Sequence, residues 1–173
     1  MGRIGKTGLG GGTSSEPQES IDQVEYETLA SEKELALEAR EAYLKNDLRL
    51  DSPIKIPADA KIKDETKEAG YDQVKYTWES EGYKYESRWH TKTPEAPDYQ
   101  GNSWVVQRTK PGIACGSNAR PKQESIMVKD DSPQGYRWVD KKIWNRAIHA
   151  RNTSGRTTEQ KELLDNGHWK SKK

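Results

Sequence analysis

All six tryptophans of this chain and six of its eight tyrosines fall after residue 70, and there is no phenylalanine. That distribution decides where a core can form. Only 31% of the residues are hydrophobic against 33% charged. The buried area must therefore come mainly from aromatic side chains, each able to bury ~150–250 Å2. Charge divides at the same place. Residues 1–70 carry 10 Lys/Arg and 15 Asp/Glu, a balance of −5, whereas residues 71–173 carry 19 and 13, a balance of +6. An acidic leader followed by a basic, aromatic-rich domain is the expected organisation, and the basic half points towards a polyanionic partner.

The first 19 residues are rich in Gly and Ser and read as a flexible tail, because such chain has high entropy to lose on ordering. Gly5-Lys6-Thr7 is not a phosphate loop, since neither the full glycine pattern nor a preceding strand is present. Residues 20–70 read as a helical leader and linker. Ser31-Glu32-Lys33-Glu34 has capping-box spacing, with Leu35, Ala36, Ala39, Ala42 and Tyr43 as a modest apolar stripe. One helix runs through Ser31, or two short ones break there. Pro53 and Pro57 interrupt regular structure, and Ala58 to Gly70 is mostly charged. No apolar run approaches the ~20 residues that span a bilayer, and no secretory signal is visible at Met1. Export, for such a chain, is expected to use another route.

From Tyr71 the hydrophobic period becomes two. Tyr71–Glu79 and Gly82–Thr91 read as strands of a hairpin around Ser80-Glu81-Gly82. Ser103–Thr109, Glu124–Lys129 and Tyr136–Val139 add further strands. Asp140 is placed to cap a helix over Lys141–Arg151 with Ile143, Trp144, Ala147 and Ile148 as its buried stripe. Thr157 and Gln160 mark a second capping box, and Gly167 a stop. The expectation is an α+β domain over 71–173, a small antiparallel sheet of four to five strands packed against C-terminal helices.

Alternation along the second strand sends Tyr83, Tyr85, Ser87 and Trp89 to one face and Lys84, Glu86, Arg88 and His90 to the other. With the aromatics turned towards the helices, a carboxylate, a guanidinium and an imidazole share the open face. RNA cleavage by the ribose 2′-hydroxyl needs a base for that proton, an acid for the leaving 5′-oxygen and a cation for the charge on phosphorus. Glu86 or His90 serves as base with the other as acid, and Arg88 or Lys84 as phosphate clamp. Arg108 on the next strand offers a second cation, and Trp104 a ring for substrate. The same alternation is also what a half-exposed strand shows without any chemistry. His168 either folds back over the sheet as a second acid/base or is a loose terminal residue held by Trp169. His149 reads as solvated. One cysteine, Cys115, excludes an intrachain disulfide and reads as a loop thiol. Spacing for a metal site is missing, so neither metal nor cofactor is expected.

The run Tyr85-Glu86-Ser87-Arg88-Trp89-His90-Thr91, with Thr93-Pro94, Ala96-Pro97 and Gly101-Asn102-Ser103-Trp104-Val105-Val106, resembles C-terminal toxin domains of bacterial polymorphic toxins, in particular those of LXG-type toxins. The resemblance continues through Arg108, Pro111-Gly112, Trp144-Asn145-Arg146-Ala147-Ile148, Ala150-Arg151, Glu159-Gln160, Leu164 and Gly167-His168-Trp169, covering roughly residues 70–170. It implies a ribonuclease delivered into rival cells, acting in their cytoplasm and neutralised by a cognate immunity protein. It carries Arg88, His90, Arg108 and His168 over as functional residues and assigns Glu86 none. The long export-directing region of such toxins has no counterpart here. A monomer is expected. The alternatives are a non-catalytic module that binds nucleic acid or a partner, and then a metal-dependent DNase.

Overall fold

The computed structural model describes residues 15–173, with side chains from Asp22 onward. Most of the Gly/Ser-rich tail expected over 1–19 thus lies outside the described residues. The chain divides into two compact units, 1–43 and 44–173. In the first, α1 (Ser15–Ala42) begins inside the expected tail and runs through Ser31 without a break. The described side chains from Asp22 to Ala42 are all exposed, as its weak apolar stripe foretells.

A π-type helix, Tyr43–Leu48, spans the boundary, and the second unit continues from residue 44 through it into the short α2 (Arg49–Asp51). Then follow β1 (Lys61–Thr66), β2 (Asp72–Ser80), β3 (Tyr83–His90), β4 (Ser103–Lys110), β5 (Gln123–Lys129) and β6 (Tyr136–Asp140). The chain closes with α3 (Lys141–Asn152), α4 (Thr158–Gly167) and the two-residue β7 (Trp169–Lys170). Among the described residues the strands form one seven-stranded antiparallel sheet in the order β1 to β6, with β7 beside β4. The fold is α+β. The β2–β3 hairpin turns on Glu81 and Gly82, at φ 51° and 81°. Two left-handed residues make the turn whose twist matches the strands, and glycine takes that conformation freely.

The expected boundary at Tyr71 falls 27 residues too late. Leu44, Leu48 and Ile56 are buried at 5%, 0% and 1% exposure, each contributing roughly 1.5–3 kcal/mol. They lie in the stretch expected to be helical leader and linker. Local signals there, two prolines and few apolar residues, hid the role because a sheet face supplies the packing partner. The charged stretch after Ala58 likewise becomes β1, which pairs from Lys61↔Thr77 to Thr66↔Asp72. Its alternating charges suit an edge strand, whose free side must resist further pairing.

Register settles the two faces, because directly opposed residues project to the same side. Arg88 opposes Val105, and Gln107 opposes Ile126. Val105, Ile126, Val128 and Val139 form the core with Trp144, Ala147 and Leu164 of α3 and α4. The helices therefore lie on the face that carries Lys84, Glu86, Arg88 and His90, not on the aromatic face as expected. The other face, with Val74, Tyr76, Ser87, Trp104 and Val106, is covered by the segment 44–56. Tyr76 donates its hydroxyl proton to the Leu44 carbonyl at 2.5 Å, and the Ser52 and Ser87 hydroxyls meet at 2.9 Å. Ile143, expected in the buried stripe of α3, is 48% exposed. Among the described residues no helix is long and apolar enough to cross a membrane.

Candidate active site

Where the end of β3 passes beneath α3 and the residue after α4, a cleft of about 420 Å3 opens. Its wall includes Tyr71, Arg88, His90, Thr93, Trp144, Arg151 and His168. The two histidines, 78 residues apart in sequence, have ring centroids 5.8 Å apart at an interplanar angle of 89°. His90 sits at the last position of β3 and is 8% exposed. His168 follows α4 directly, and its backbone N–H donates to the Leu164 carbonyl at 3.1 Å.

Hydrogen bonding fixes the protons. His90 Nδ1 lies 2.9 Å from the Thr91 carbonyl and His168 Nδ1 2.6 Å from the Leu164 carbonyl. A carbonyl only accepts, so each Nδ1 carries a proton, and in the neutral ring Nε2 keeps the lone pair. Burial lowers the pKa of His168 from the ordinary 6.5 to about 3, against the hydrogen bond to Leu164, with the charges of Arg151 and Arg88 pushing the same way as burial. Burial lowers His90 as well, aided by Arg88 and Arg151. Both rings are neutral bases at neutral pH.

That state has a consequence for stability. The unfolded chain protonates its histidines below about 6.5, whereas the folded chain resists until about pH 3 at His168. The unfolded state then binds more protons, so folding stability is full above pH 6.5 and declines as pH falls, by up to about 1.4 kcal/mol per unit for one such group. Urea unfolding of the wild type and of His168→Gln between pH 7 and 4.5 checks this. The variant is expected to show the shallower pH slope.

The helix Cβ direction and a close approach position the pocket's back wall. Trp144 packs against His168 at 5.0 Å between centroids. Gly167 lies so near that a Cβ placed there would stand 2.2 Å from Trp144 Cζ3. Gly167→Ala must therefore displace the indole that holds His168, at a cost of about 1–3 kcal/mol. Thermal unfolding is expected to drop accordingly, together with any activity of the cleft.

The other residues singled out in the sequence lie elsewhere. Glu86 is clasped by Lys75 at 3.5 Å and Arg88 at 3.2 Å, so its carboxylate is already engaged. With Lys84 it lines a second, larger depression of about 690 Å3 beside Asp59, Lys61 and Glu79. No histidine reaches that depression. Arg108 opposes Tyr85 and so lies on the face away from His90, its guanidinium 4.4 Å from the Tyr83 ring and 4.2 Å from that of Trp138. Trp104 is 0% exposed, and its indole N–H donates to Asp51 Oδ2 at 2.8 Å. It cannot meet a substrate. His149 and Cys115 are exposed.

Sequence reasoning missed Thr93 and Arg151 as part of the cleft. For Arg151 a signal existed. Trp144, Ile148 and Arg151 are spaced i, i+4, i+7, so they share one face of α3. Among the described residues no three His, Cys, Asp or Glu side chains gather as a metal-binding group. Comparisons with protein-family models, with curated proteins and with solved structures give no match for this chain.

Proposed function

We propose that the cleft is the active site of a metal-independent ribonuclease, and that the protein is a toxin domain of the interbacterial kind held in check by a cognate immunity protein. The observation that carries the nuclease reading is the convergence of His90 and His168 with Arg88 and Arg151 in one cleft. The toxin reading draws on the sequence resemblance.

In the proposed reaction His168 Nε2 takes the proton of a ribose 2′-hydroxyl. The 2′-oxygen forms its bond to phosphorus while the bond to the 5′-oxygen breaks. His90, protonated at Nε2 once a phosphate anion offsets the nearby guanidiniums, hands its proton to the departing 5′-oxygen. Arg88 stabilises the charge that builds on the phosphoryl oxygens. The products are a 2′,3′-cyclic phosphate and a 5′-hydroxyl, and solvent resets the two histidines. His168, whose pKa burial lowers to about 3, is assigned the base because its Nε2 is unprotonated at neutral pH.

Total RNA and duplex DNA incubated with the full chain, with and without EDTA, test the reading. RNA cleavage that persists in EDTA and leaves cyclic-phosphate ends is expected, with DNA intact. Cleavage silenced by EDTA would point instead to a metal-dependent nuclease. Intact RNA at micromolar folded protein would sink the proposal.

One observation favours a second reading, a non-catalytic nucleic-acid-binding module. Trp78 and Tyr85 stack at 5.5 Å and 8°, next to the Arg108 guanidinium held between Tyr83 and Trp138. Such partly exposed rings can stack bases at about 1–3 kcal/mol each. Binding of that kind survives His90→Ala and weakens steeply with salt.

A further inference from the structure

Three polar atoms in the wall of the histidine cleft lack hydrogen-bond partners although buried: Arg151 Nη1, Thr93 Oγ1 and Arg88 Nε. Native proteins satisfy nearly all such groups, so three in one cleft call for an explanation. Arg88 Nε lies 3.2 Å from Glu86 Oε2 but without hydrogen-bond geometry. Arg151 is the more telling case. Its Nε donates to Asn152 Oδ1 at 3.0 Å, yet among the described residues no carboxylate forms an ion pair with it. A guanidinium is charged at any physiological pH, and Glu95, whose charge acts on Arg151 across the cleft, forms no ion pair with it, so the cleft keeps a cationic donor free for an anion from outside.

The seat is built before any anion arrives. The Thr93 loop is fixed by the Ala96 N–H, which donates to the Thr93 carbonyl at 3.0 Å. Lys92 Nζ pins the same turn, donating to the Thr93 and Ala96 carbonyls at 3.2 and 2.9 Å. Arg88 is fixed by strand pairing opposite Val105, and Arg151 by the last turn of α3. Donors from β3, from the loop that follows it and from a helix therefore line one cleft. We infer that Arg151, Thr93 and Arg88 form a seat for a phosphoryl group, with Arg151 as a substrate-binding residue outside the set the sequence suggested. The inference builds on the reading of the cleft as a phosphodiester site and names the atoms that hold the phosphate. Three directions of donation suit the tetrahedral oxygens of a phosphoryl group, whereas a planar carboxylate uses two.

Inorganic phosphate is the probe, followed through the histidine ring proton resonances of the full chain at pH 7. Phosphate is expected to shift the resonances of His90 and His168 selectively and saturably, with His149, exposed on α3, as the internal reference. Acetate at equal concentration is expected to leave them in place. Arg151→Gln should weaken phosphate binding about tenfold or more, and Thr93→Val should weaken it in the same direction. The exposed Arg146→Gln should not. Near-ultraviolet circular dichroism confirms that each variant is folded, and the wild-type titration decides the matter even if a variant is not. Absence of selective shifts in the wild type, an equal response to acetate, or unchanged binding by both cleft variants would overturn the inference. Phosphate held through Arg151 with RNA left intact keeps the seat and removes the ribonuclease. RNA cleaved without phosphate binding through Arg151 does the reverse.

Discussion

His90→Ala and His168→Ala are each expected to lower the proposed RNA cleavage by about 100- to 10,000-fold, the range that one general acid or base supplies. The two losses are not additive, because removing either proton carrier disables the same transition state. Initial rates on a labelled RNA, measured for both single variants and the double variant, read this out. The double variant is expected to be scarcely slower than the worse single one. His149→Ala is the reference: its side chain is exposed and outside the cleft, and its rate should stay within about twofold of the wild type. Folding is separable from chemistry through His90→Gln and His168→Gln. Both keep most of the side-chain volume and should keep the near-ultraviolet spectrum while losing the rate. A histidine pair that served only as packing would leave cleavage untouched in these two variants.

Trp104→Ala is expected to cost the fold about 3–5 kcal/mol. The side chain is fully buried and packs against Tyr76 at 5.9 Å between centroids. Its loss also reaches Asp51. Burial alone would raise that carboxyl's pKa, but hydrogen bonds from Ser171, Trp104 and the Lys172 backbone outweigh it and hold the carboxylate low. The same Ser171 hydroxyl accepts the Trp89 indole proton at 3.0 Å. Trp104 thus links the α2 turn, the sheet and the C-terminal residues. Against a total stability of about 5–15 kcal/mol, the variant should unfold at much lower urea. Trp78→Ala, at a partly exposed ring, should cost distinctly less.

Strands β2 to β6 are legible because they keep a period of two, whereas β1, in a charged stretch, carries no such signal. Residues 83–90 show it plainly, and even the turn at Glu81-Gly82 follows from composition. Two helices were readable from Asp140 and from Thr157 with Gln160, whose side chains cap as expected. What sequence could not convey was which face each helix would cover. Alternation gives two faces but no label, and the covering of the aromatic face by Leu44, Leu48 and Ile56 depends on contacts across about 30 to 60 residues. That one reversal explains the misplaced boundary at Tyr71. It also explains why Trp104 is core, whereas Arg108 lies away from His90 because the register sets it opposite Tyr85. The sequence leaves His168 as a loose end or as a second acid/base folded back over the sheet, and only tertiary packing through Gly167 and Trp144 brings the two rings together. The two-residue β7 carries no periodic signal at all.

The ribonuclease proposed for the histidine cleft depends on the ribose 2′-hydroxyl. A short RNA oligonucleotide and its counterpart with hydrogen in place of each 2′-hydroxyl, incubated with the full chain in EDTA, test it most directly. The RNA is expected to be cleaved to cyclic-phosphate ends while the deoxy counterpart binds but stays whole. Equal cleavage of both strands, or an intact RNA with folded protein at micromolar concentration, would contradict it.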